Sequence, residues 1–334
     1  MKLVIQIPCL NEEESLAKTL QDLPTSLGGI DEIQILVIDD GSTDDTVAVA
    51  RAHGVDKIVH HSRNRGLAKS FQSGLEAALA MGADLIVNTD ADNQYCGEDI
   101  ALLVKPLLAG EADIVIGDRQ LAKNRQFGAV KTMLQKLGSS VVSSLSGLRV
   151  PDAVSGFRAL TRAAALQTTI ISNFSYTTEM IIQAGNKRMA VTSVPIRTNR
   201  VTRPPRLFKS TPSFVLQQGI TMIRMYAMYR PLRFFFIIGA ILSMIGIVPM
   251  LRFLYFFFNG DGTGHLQSLV LGSAILILGM MVFVTGLLSD LISQNRRLQE
   301  DILERIRRSE QLNACSENQK LADRPALQKT SAPG

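Results

Sequence analysis

Two carboxylates separated by one residue open the chemistry of this chain. Asp90-Ala91-Asp92-Asn93-Gln94 follows an apolar run that reads as a strand. An acid at a strand end and a second two residues on bring two carboxylates near one point. Hard oxygen donors of that kind suit Mg²⁺ or Mn²⁺, which keep water and take further ligands from phosphate. A lone Asp-x-Asp is common in solvated turns, so its neighbours decide. Asn11-Glu12-Glu13, Asp39-Asp40-Gly41-Ser42 and Asn64-Arg65-Gly66-Leu67-Ala68 each follow another strand-like run. One acidic set can hold a metal while another accepts hydrogen bonds from a base and ribose. The chain has no GxxxxGK[ST] and no GxGxxG after a strand, which disfavours P-loop enzymes and dinucleotide-binding dehydrogenases. A second anion site is expected at Arg197–Lys209, where Arg197, Arg200, Arg203, Arg206 and Lys209 occur with no acid among them. Arginine can grip phosphate with two parallel hydrogen bonds. Pro204-Pro205 stiffens that loop.

Elements of alternating type must position these residues. Leu3–Ile7, Ile33–Ile38, Lys57–His61, Asp84–Asn88 and Ala112–Ile116 read as strands. Gly66–Met81 has helical spacing, with Leu67, Phe71, Leu75 and Leu79 on one face, and Gln126–Gly147 reads as a longer helix. Val150–Leu160 reads as a loop entering a short strand, Tyr176–Ala184 as helix and Ala190–Ile196 as strand. Strands alternating with helices imply right-handed crossovers and a mainly parallel sheet, with ligands at the carboxyl ends of its strands. All the acidic loops lie at such ends. His53, His60, His61 and His265 have no metal-ligand spacing. His60 and His61, adjacent on a strand, point to opposite faces and read as structural.

The composition adds a membrane. Mean hydropathy is +0.16 and the pI about 9.2, with a formal charge of +5 across 334 residues. Phe234–Leu251 and Leu269–Leu288 carry no charge. Twenty helical residues span roughly 30 Å, the hydrocarbon thickness. Arg224, Arg230 and Arg233 precede the first span and Arg296, Arg297, Arg305, Arg307 and Arg308 follow the second, while Asn259–Gln267 between them has no Lys or Arg. The positive-inside rule then makes both termini cytoplasmic. The opening MKLVIQIPCLNEEE does not read as a signal peptide. Phe214–Tyr229 is expected to lie in the membrane interface, or equally to pack on the catalytic domain. Leu291–Glu310 reads as a charged helix with Leu298, Ile302 and Ile306 on one side, leaving a homo-oligomer open. Cys9, Cys96 and Cys315 form no CxxC pair. The expected divisions are a catalytic domain over 1–212, an interfacial helix over 213–231, two transmembrane helices over 232–290, and a charged helix with a disordered tail over 291–334.

Six motifs stand in order: Pro8-Cys9-Leu10-Asn11-Glu12, Asp39-Asp40-Gly41-Ser42-Thr43-Asp44, Asn64-Arg65-Gly66, Asp90-Ala91-Asp92-Asn93-Gln94, Gly117-Asp118-Arg119 and Ser155-Gly156-Phe157-Arg158. In these the chain resembles glycosyltransferase family two, and within it the dolichol-phosphate mannosyltransferase and bacterial polyisoprenyl-phosphate glycosyltransferase branch. The resemblance covers about Lys2–Lys209, and the hairpin fits the bacterial two-helix type. It implies an α/β GT-A type nucleotide-sugar-binding domain with a mainly parallel sheet, followed by an α-helical transmembrane hairpin. It implies inverting, metal-dependent transfer from a nucleotide-sugar to a polyisoprenyl phosphate, with undecaprenyl phosphate the expected lipid, at the cytoplasmic face of the inner membrane.

Carried over by motif, Pro8, Asn11, Glu12 and Asp39 contact the base and ribose, with Asp40 and Arg65 counted in the same site. Asp90 sits by the ribose or sugar, Asp92 and Gln94 hold Mg²⁺ or Mn²⁺, and Arg119 faces phosphate. Arg200, Arg203, Arg206 and Lys209 bind the acceptor phosphate. Asp152 is the candidate for a residual base or an orienting group. The chain departs from the family at Asn93, usually apolar, and at Asp118, usually Ser. A phosphate monoester is mostly dianionic at neutral pH and needs little help from a base, so positioning and charge neutralisation dominate. Two rival readings are a processive polysaccharide synthase and a non-catalytic adaptor. The chain lacks any Trp and therefore the QxxRW motif of the first, and the intact Asp90/Asp92/Gln94 set argues against the second. Nucleic-acid binding is disfavoured because the basic loop lacks interleaved aromatics.

Overall fold

The computed structural model describes residues 1–120, 129–170, 176–199, 220, 223–224, 226–260 and 265–322. The catalytic part opens with β1 (Lys2–Cys9), α1 (Glu13–Asp22), β2 (Glu32–Asp39), α2 (Thr46–Ala52), β3 (Lys57–His60) and α3 (Leu67–Ala80). It continues with β4 (Leu85–Asn88), α4 (Ile100–Leu108), β5 (Ile114–Asp118) and α5 (Ala129–Ser146). After these come β6 (Arg158–Thr161), α6 (Arg162–Gln167), α7 (Tyr176–Asn186) and β7 (Val191–Pro195). The seven strands form one sheet in the order β3-β2-β1-β4-β6-β5-β7. It is mainly parallel, as expected; β6 alone among the described strands runs antiparallel, to both β4 and β5.

Strand alternation divides the core between the two faces. Leu3, Ile5 and Ile7 of β1 join Leu16, Leu20, Ile100, Leu103 and Leu107 under α1 and α4. Val4 faces the other way, with Leu36, Ile38, Phe71, Leu75, Met180 and Ile181 under α3 and α7. Gln6 shares that second face, fully buried, and donates to Asn88 Oδ1 at 2.9 Å. Gly74 of α3 faces β1 and β2 closely: a Cβ there would lie 2.6 Å from Gln6 Oε1 and 2.9 Å from Ile38 Cδ1, so these side chains would have to shift. The helix therefore sits close over β1 and β2, and the carboxyl ends of these strands open on one edge.

Two long helices follow, α8 (Pro231–Phe258) and α9 (Leu266–Ala322). Both Pro231–Phe258 and Leu266–Leu303 are long and apolar enough to cross a membrane, each holding an 18-residue stretch of mean hydropathy 2.5 and 2.4 respectively. They pack through small residues. A Cβ on Gly239 would meet Gly279 O at 3.1 Å, and one on Gly246 would meet Gly272 O at 2.9 Å. Small residues let helix backbones approach in lipid, where apolar bulk gives no driving force. Sequence periodicity separated a second span from a charged helix beginning at Leu291; the structure runs them together as α9. Nothing between Leu288 and Leu291 breaks a helix: there is neither Pro nor Gly. The interfacial helix expected over 213–231 falls mostly outside the described residues; within it, residues 226–229 are helical.

Candidate active site

The strand ends come together by register. Cys9 pairs with Asp39, Asp39 with His60, and Gln6 with Asn88. The loops that leave these ends are laced to one another. Asn11, at φ 55°, donates its backbone N–H to Ser42 Oγ at 2.9 Å and accepts from Thr43 N at 2.8 Å. Glu12 N donates to Thr46 Oγ1 at 2.8 Å. The sequence-predicted nucleotide residues Asn11, Glu12 and Asp39 thus share one rim, next to Pro8 in β1.

The paired acids after β2 have different tasks. Asp39 is fully buried; its Oδ1 accepts from Ser42 N at 3.1 Å and its Oδ2 lies 2.6 Å from His60 Nδ1. Asp40 accepts from Arg65 N at 2.9 Å, Gly66 N at 2.8 Å and the His61 ring at 2.8 Å. Its carboxylate is spent on folding the Asn64-Arg65-Gly66 loop against β2, and the part of Arg65 that Asp40 holds is its backbone. His60 and His61 are structural, as expected, each serving one of the two acids. Gly41, at φ 80°, admits the same loop: a Cβ would lie 2.7 Å from the Arg63 carbonyl carbon.

The Asp-x-Asp turn leaves β4. Thr19 Oγ1 donates to Ala91 O at 2.9 Å, and Gln94 N donates to Asp92 Oδ1 at 3.1 Å. Asp92 is exposed and Asp90 half-buried. Burial first, and then the charge of Asp92, raise the Asp90 carboxyl pKa to about 7; Arg119 and a hydrogen bond from Tyr95 oppose the shift. Gly156 presses on this carboxylate, since a Cβ there would lie 3.0 Å from each of its oxygens. Gly156 N donates to the Tyr95 hydroxyl at 3.1 Å, and its carbonyl accepts from Asn88 Nδ2 at 2.8 Å. Tyr95 stacks on Phe157 at 4.9 Å between centroids.

A divalent metal suits this donor set. Asp92 offers an exposed carboxylate and Gln94 a carboxamide. The Asp90–Asp92 repulsion is one that a dication relieves. Among the described residues no three His, Cys, Asp or Glu side chains form a closed metal cage. A metal on Asp92 and Gln94 would complete its shell from water and diphosphate, the habit of Mg²⁺ and Mn²⁺.

Arg119, at the end of β5, is locked in a fork with Asp152: Nε to Oδ2 at 2.7 Å and Nη2 to Oδ1 at 2.9 Å. Asp152 is 1% exposed. Neighbouring anions hold the guanidinium more firmly charged than usual. The fork joins Asp152, the candidate base or orienting group, to Arg119, the candidate phosphate-facing cation. Arg158 of the Ser155-Gly156-Phe157-Arg158 motif is fully buried and faces carbonyls: Ser155 O at 2.7 Å, Thr177 O at 2.6 Å and Ala153 O at 2.8 Å. Burial lowers its pKa to about 10. It ties the loop carrying Asp152 and Gly156 to the start of α7.

Arg197, at the head of the basic segment, pairs with two acids. Its Nε and Nη2 reach Asp99 Oδ1 at 2.9 and 2.7 Å, and Nη2 also reaches Glu98 Oε2 at 3.0 Å. The sequence offered no reason to pair it with acids nearly a hundred positions away. Arg200, Arg203, Arg206 and Lys209 lie outside the described residues. Tyr95, Tyr176 and Asn88, which build the wall behind Asp90, escaped the sequence reading. Tyr95 stood one residue past the acidic motif, but a lone aromatic beside a turn carries no signal of its own.

Comparison with known proteins agrees with this geometry. The family model described as "Glycosyl transferase family 2" matches residues 4–167. An uncharacterized protein of Methanocaldococcus jannaschii is 32% identical over 205 residues, 59% of this chain and 81% of that one. An undecaprenyl-phosphate mannosyltransferase of Micrococcus luteus is 27% identical over 206 residues, 59% and 83% of the two chains. A dodecaprenyl-phosphate galacturonate synthase of Rhizobium johnstonii is 24% identical over 315 residues, 88% of each chain. That last stretch is too long to be confined to the catalytic domain. Among solved structures, glucosyl-3-phosphoglycerate synthase of Mycobacterium tuberculosis with Mn²⁺, uridine diphosphate and phosphoglyceric acid has a TM-score of 0.51 at 21% identity, covering 66% of this chain and 78% of that one. At that identity what is shared is the fold, the expected GT-A type α/β domain. With its acidic strand ends, its Asp-x-Asp turn and its two apolar helices, the chain belongs to glycosyl transferase family 2 and is a glycosyltransferase.

Proposed function

We propose that the protein transfers a sugar, with inversion, from a nucleotide-sugar to a polyisoprenyl phosphate at the cytoplasmic face of a membrane, with Mg²⁺ or Mn²⁺ on the diphosphate. The observation that carries this reading is the Arg119–Asp152 fork beside Asp90, on a domain joined to two membrane-length helices. Relatives named for transfer to undecaprenyl and dodecaprenyl phosphate support the acceptor class.

In this reading the rim of Pro8, Asn11, Glu12 and Asp39 takes the base and ribose. Asp92 and Gln94 hold the metal, which when bound would offset charge on the leaving diphosphate. Asp152 fixes Arg119 so that its charge meets that diphosphate without reorganisation. Asp90, walled by Gly156 and Tyr95, lies where the transferred sugar or its ribose would rest. A phosphate oxygen of the acceptor bonds to the anomeric carbon as the bond from that carbon to the diphosphate oxygen breaks. The acceptor enters largely as a dianion, so no strong base is required, which accords with the absorption of Asp152 by Arg119. Arg200, Arg203, Arg206 and Lys209 hold the acceptor phosphate. The arginines flanking the two apolar spans favour a cytoplasmic domain.

The test is transfer of label from a panel of nucleotide-sugars to undecaprenyl phosphate in detergent, with and without Mn²⁺ or Mg²⁺. Metal-dependent labelling of the lipid by one donor is expected. Nucleotide binding with no labelling from any donor would favour another acceptor or the adaptor reading.

A further inference from the structure

The metal turn is held from behind by a residue that no motif contains. Asn199 N donates to Gln94 O at 2.9 Å. Its side-chain Nδ2 donates to Asn93 O at 3.0 Å and to Tyr95 O at 3.4 Å. Three successive carbonyls of the turn therefore end on one asparagine about a hundred positions away in sequence. The residues before it run alongside the same loop: Thr198 bridges Tyr95, and Arg197 binds Asp99 through its backbone N–H at 2.6 Å as well as through its guanidinium. The turn needs such a support. Asn93 sits at φ 54°, a conformation that costs a non-glycine residue energy, and its buried Oδ1 has no hydrogen-bond partner.

We propose that Asn199 is the positioning residue of the metal turn. Fixing the carbonyls of residues 93, 94 and 95 fixes the peptide planes between them, and with these the directions in which the Asp92 and Gln94 side chains leave the backbone. The carboxamide suits the task because one nitrogen carries two N–H donors for two carbonyls. Aspartate in its place would set an acceptor against two acceptors. Partners behind metal ligands set affinity without touching the metal; their loss typically weakens binding about 10- to 100-fold. The inference rests on the reading of Asp92 and Gln94 as the metal-holding pair. Asn199 also immediately precedes Arg200, the first cation of the basic segment, so the chain that steadies the metal turn leads directly into the acceptor residues.

The test uses the full chain in detergent. Free Mn²⁺ is followed by electron paramagnetic resonance at saturating UDP or GDP, whichever the wild type binds, and nucleotide affinity is measured separately without metal. Asn199→Asp and Asn199→Ala should raise the apparent Kd for Mn²⁺ at least about tenfold. They should leave metal-free nucleotide affinity and the melting temperature close to wild type. In transfer assays the Mn²⁺ activation constant should rise while kcat at saturating Mn²⁺ stays within about twofold. Asn199→Ser, which keeps one donor, should fall between wild type and Asn199→Ala. Variants that take up Mn²⁺ as the wild type does overturn the inference, as do variants that lose nucleotide and metal binding together. If the wild type itself takes up no Mn²⁺ with either nucleotide, the reading of Asp92 and Gln94 fails first and the inference falls with it.

Discussion

Arg119 and Asp152 meet through two parallel hydrogen bonds, of 2.7 and 2.9 Å, next to the paired strands β5 and β6. Arg119 directly follows β5, whereas Asp152 lies in the loop before β6. The pair is almost wholly enclosed, with 10% and 1% of the two side chains exposed. A guanidinium so held presents its charge at a fixed place. Asp152→Asn keeps the shape but loses half the fork and the compensating charge. It should lower kcat by about 10²-fold, the scale on which removing a preorganised charge-stabilising donor acts, with a much smaller change in donor KM. Asp152→Ala should also destabilise the fold by about 3–5 kcal/mol, because it leaves a buried cation unpaired. Steady-state kinetics and thermal melts check both.

Gly156 admits the Asp90 carboxylate. A methyl group at 3.0 Å from both oxygens would push it aside. Gly156→Ala should cost about 1–3 kcal/mol of stability, typical of overpacking, and reduce turnover more than Asp90→Asn does, since the loop bearing Asp152 must move as well. Melting temperatures and kcat of the two variants decide it.

The metal reading makes its own demand. Removing divalent ions with a chelator should abolish transfer, and adding Mn²⁺ or Mg²⁺ should restore it. Asp92→Asn should raise the metal concentration needed for half-maximal rate. Full, metal-dependent transfer by Asp92→Asn would remove Asp92 from the metal site.

The basic segment should act on one substrate only. Arg203→Ala is expected to raise the KM for the lipid phosphate by about tenfold, the loss of roughly one charge-assisted hydrogen bond, while nucleotide affinity is unchanged. The reverse pattern would count against an acceptor role.

The hairpin offers a prediction independent of chemistry. A Cβ on Gly279 would approach Ser243 Oγ to 2.6 Å and Gly239 O to 3.1 Å. Gly279→Leu should separate α8 from α9 and shorten the half-life of activity in detergent at elevated temperature. Leu278→Ala, at an exposed neighbouring position, should not.

The parallel sheet, the order of the acidic loops and the two apolar helices were legible in the sequence because each rests on local periodicity or on a strand-end motif. The reversed direction of β6 was not. Four residues between a loop and α6 carry no sign of strand direction, which is set by pairing with β4 and β5. Within the site, motif order singled out Asp39, Asp90, Asp92 and Arg119 as candidates, but not who partners whom. Asp40 clasps the third loop and Arg197 pairs with Asp99, and neither pairing could be read from the motifs. Asp152 was legible as a candidate base or orienting group, but its fork with Arg119 was not. Such pairings join positions far apart in the chain. Spacing cannot foretell them, whereas the sheet register can.

The central claim is that the acceptor is a lipid phosphate. Its most direct test is to offer the purified protein undecaprenyl phosphate and undecaprenol side by side, with the same labelled nucleotide-sugar and Mn²⁺. The account predicts label in lipid and matching release of nucleoside diphosphate with the phosphate alone, because the basic segment grips that group and it supplies the attacking oxygen. Equal labelling of the alcohol, or label appearing in a water-soluble polymer instead, would contradict it.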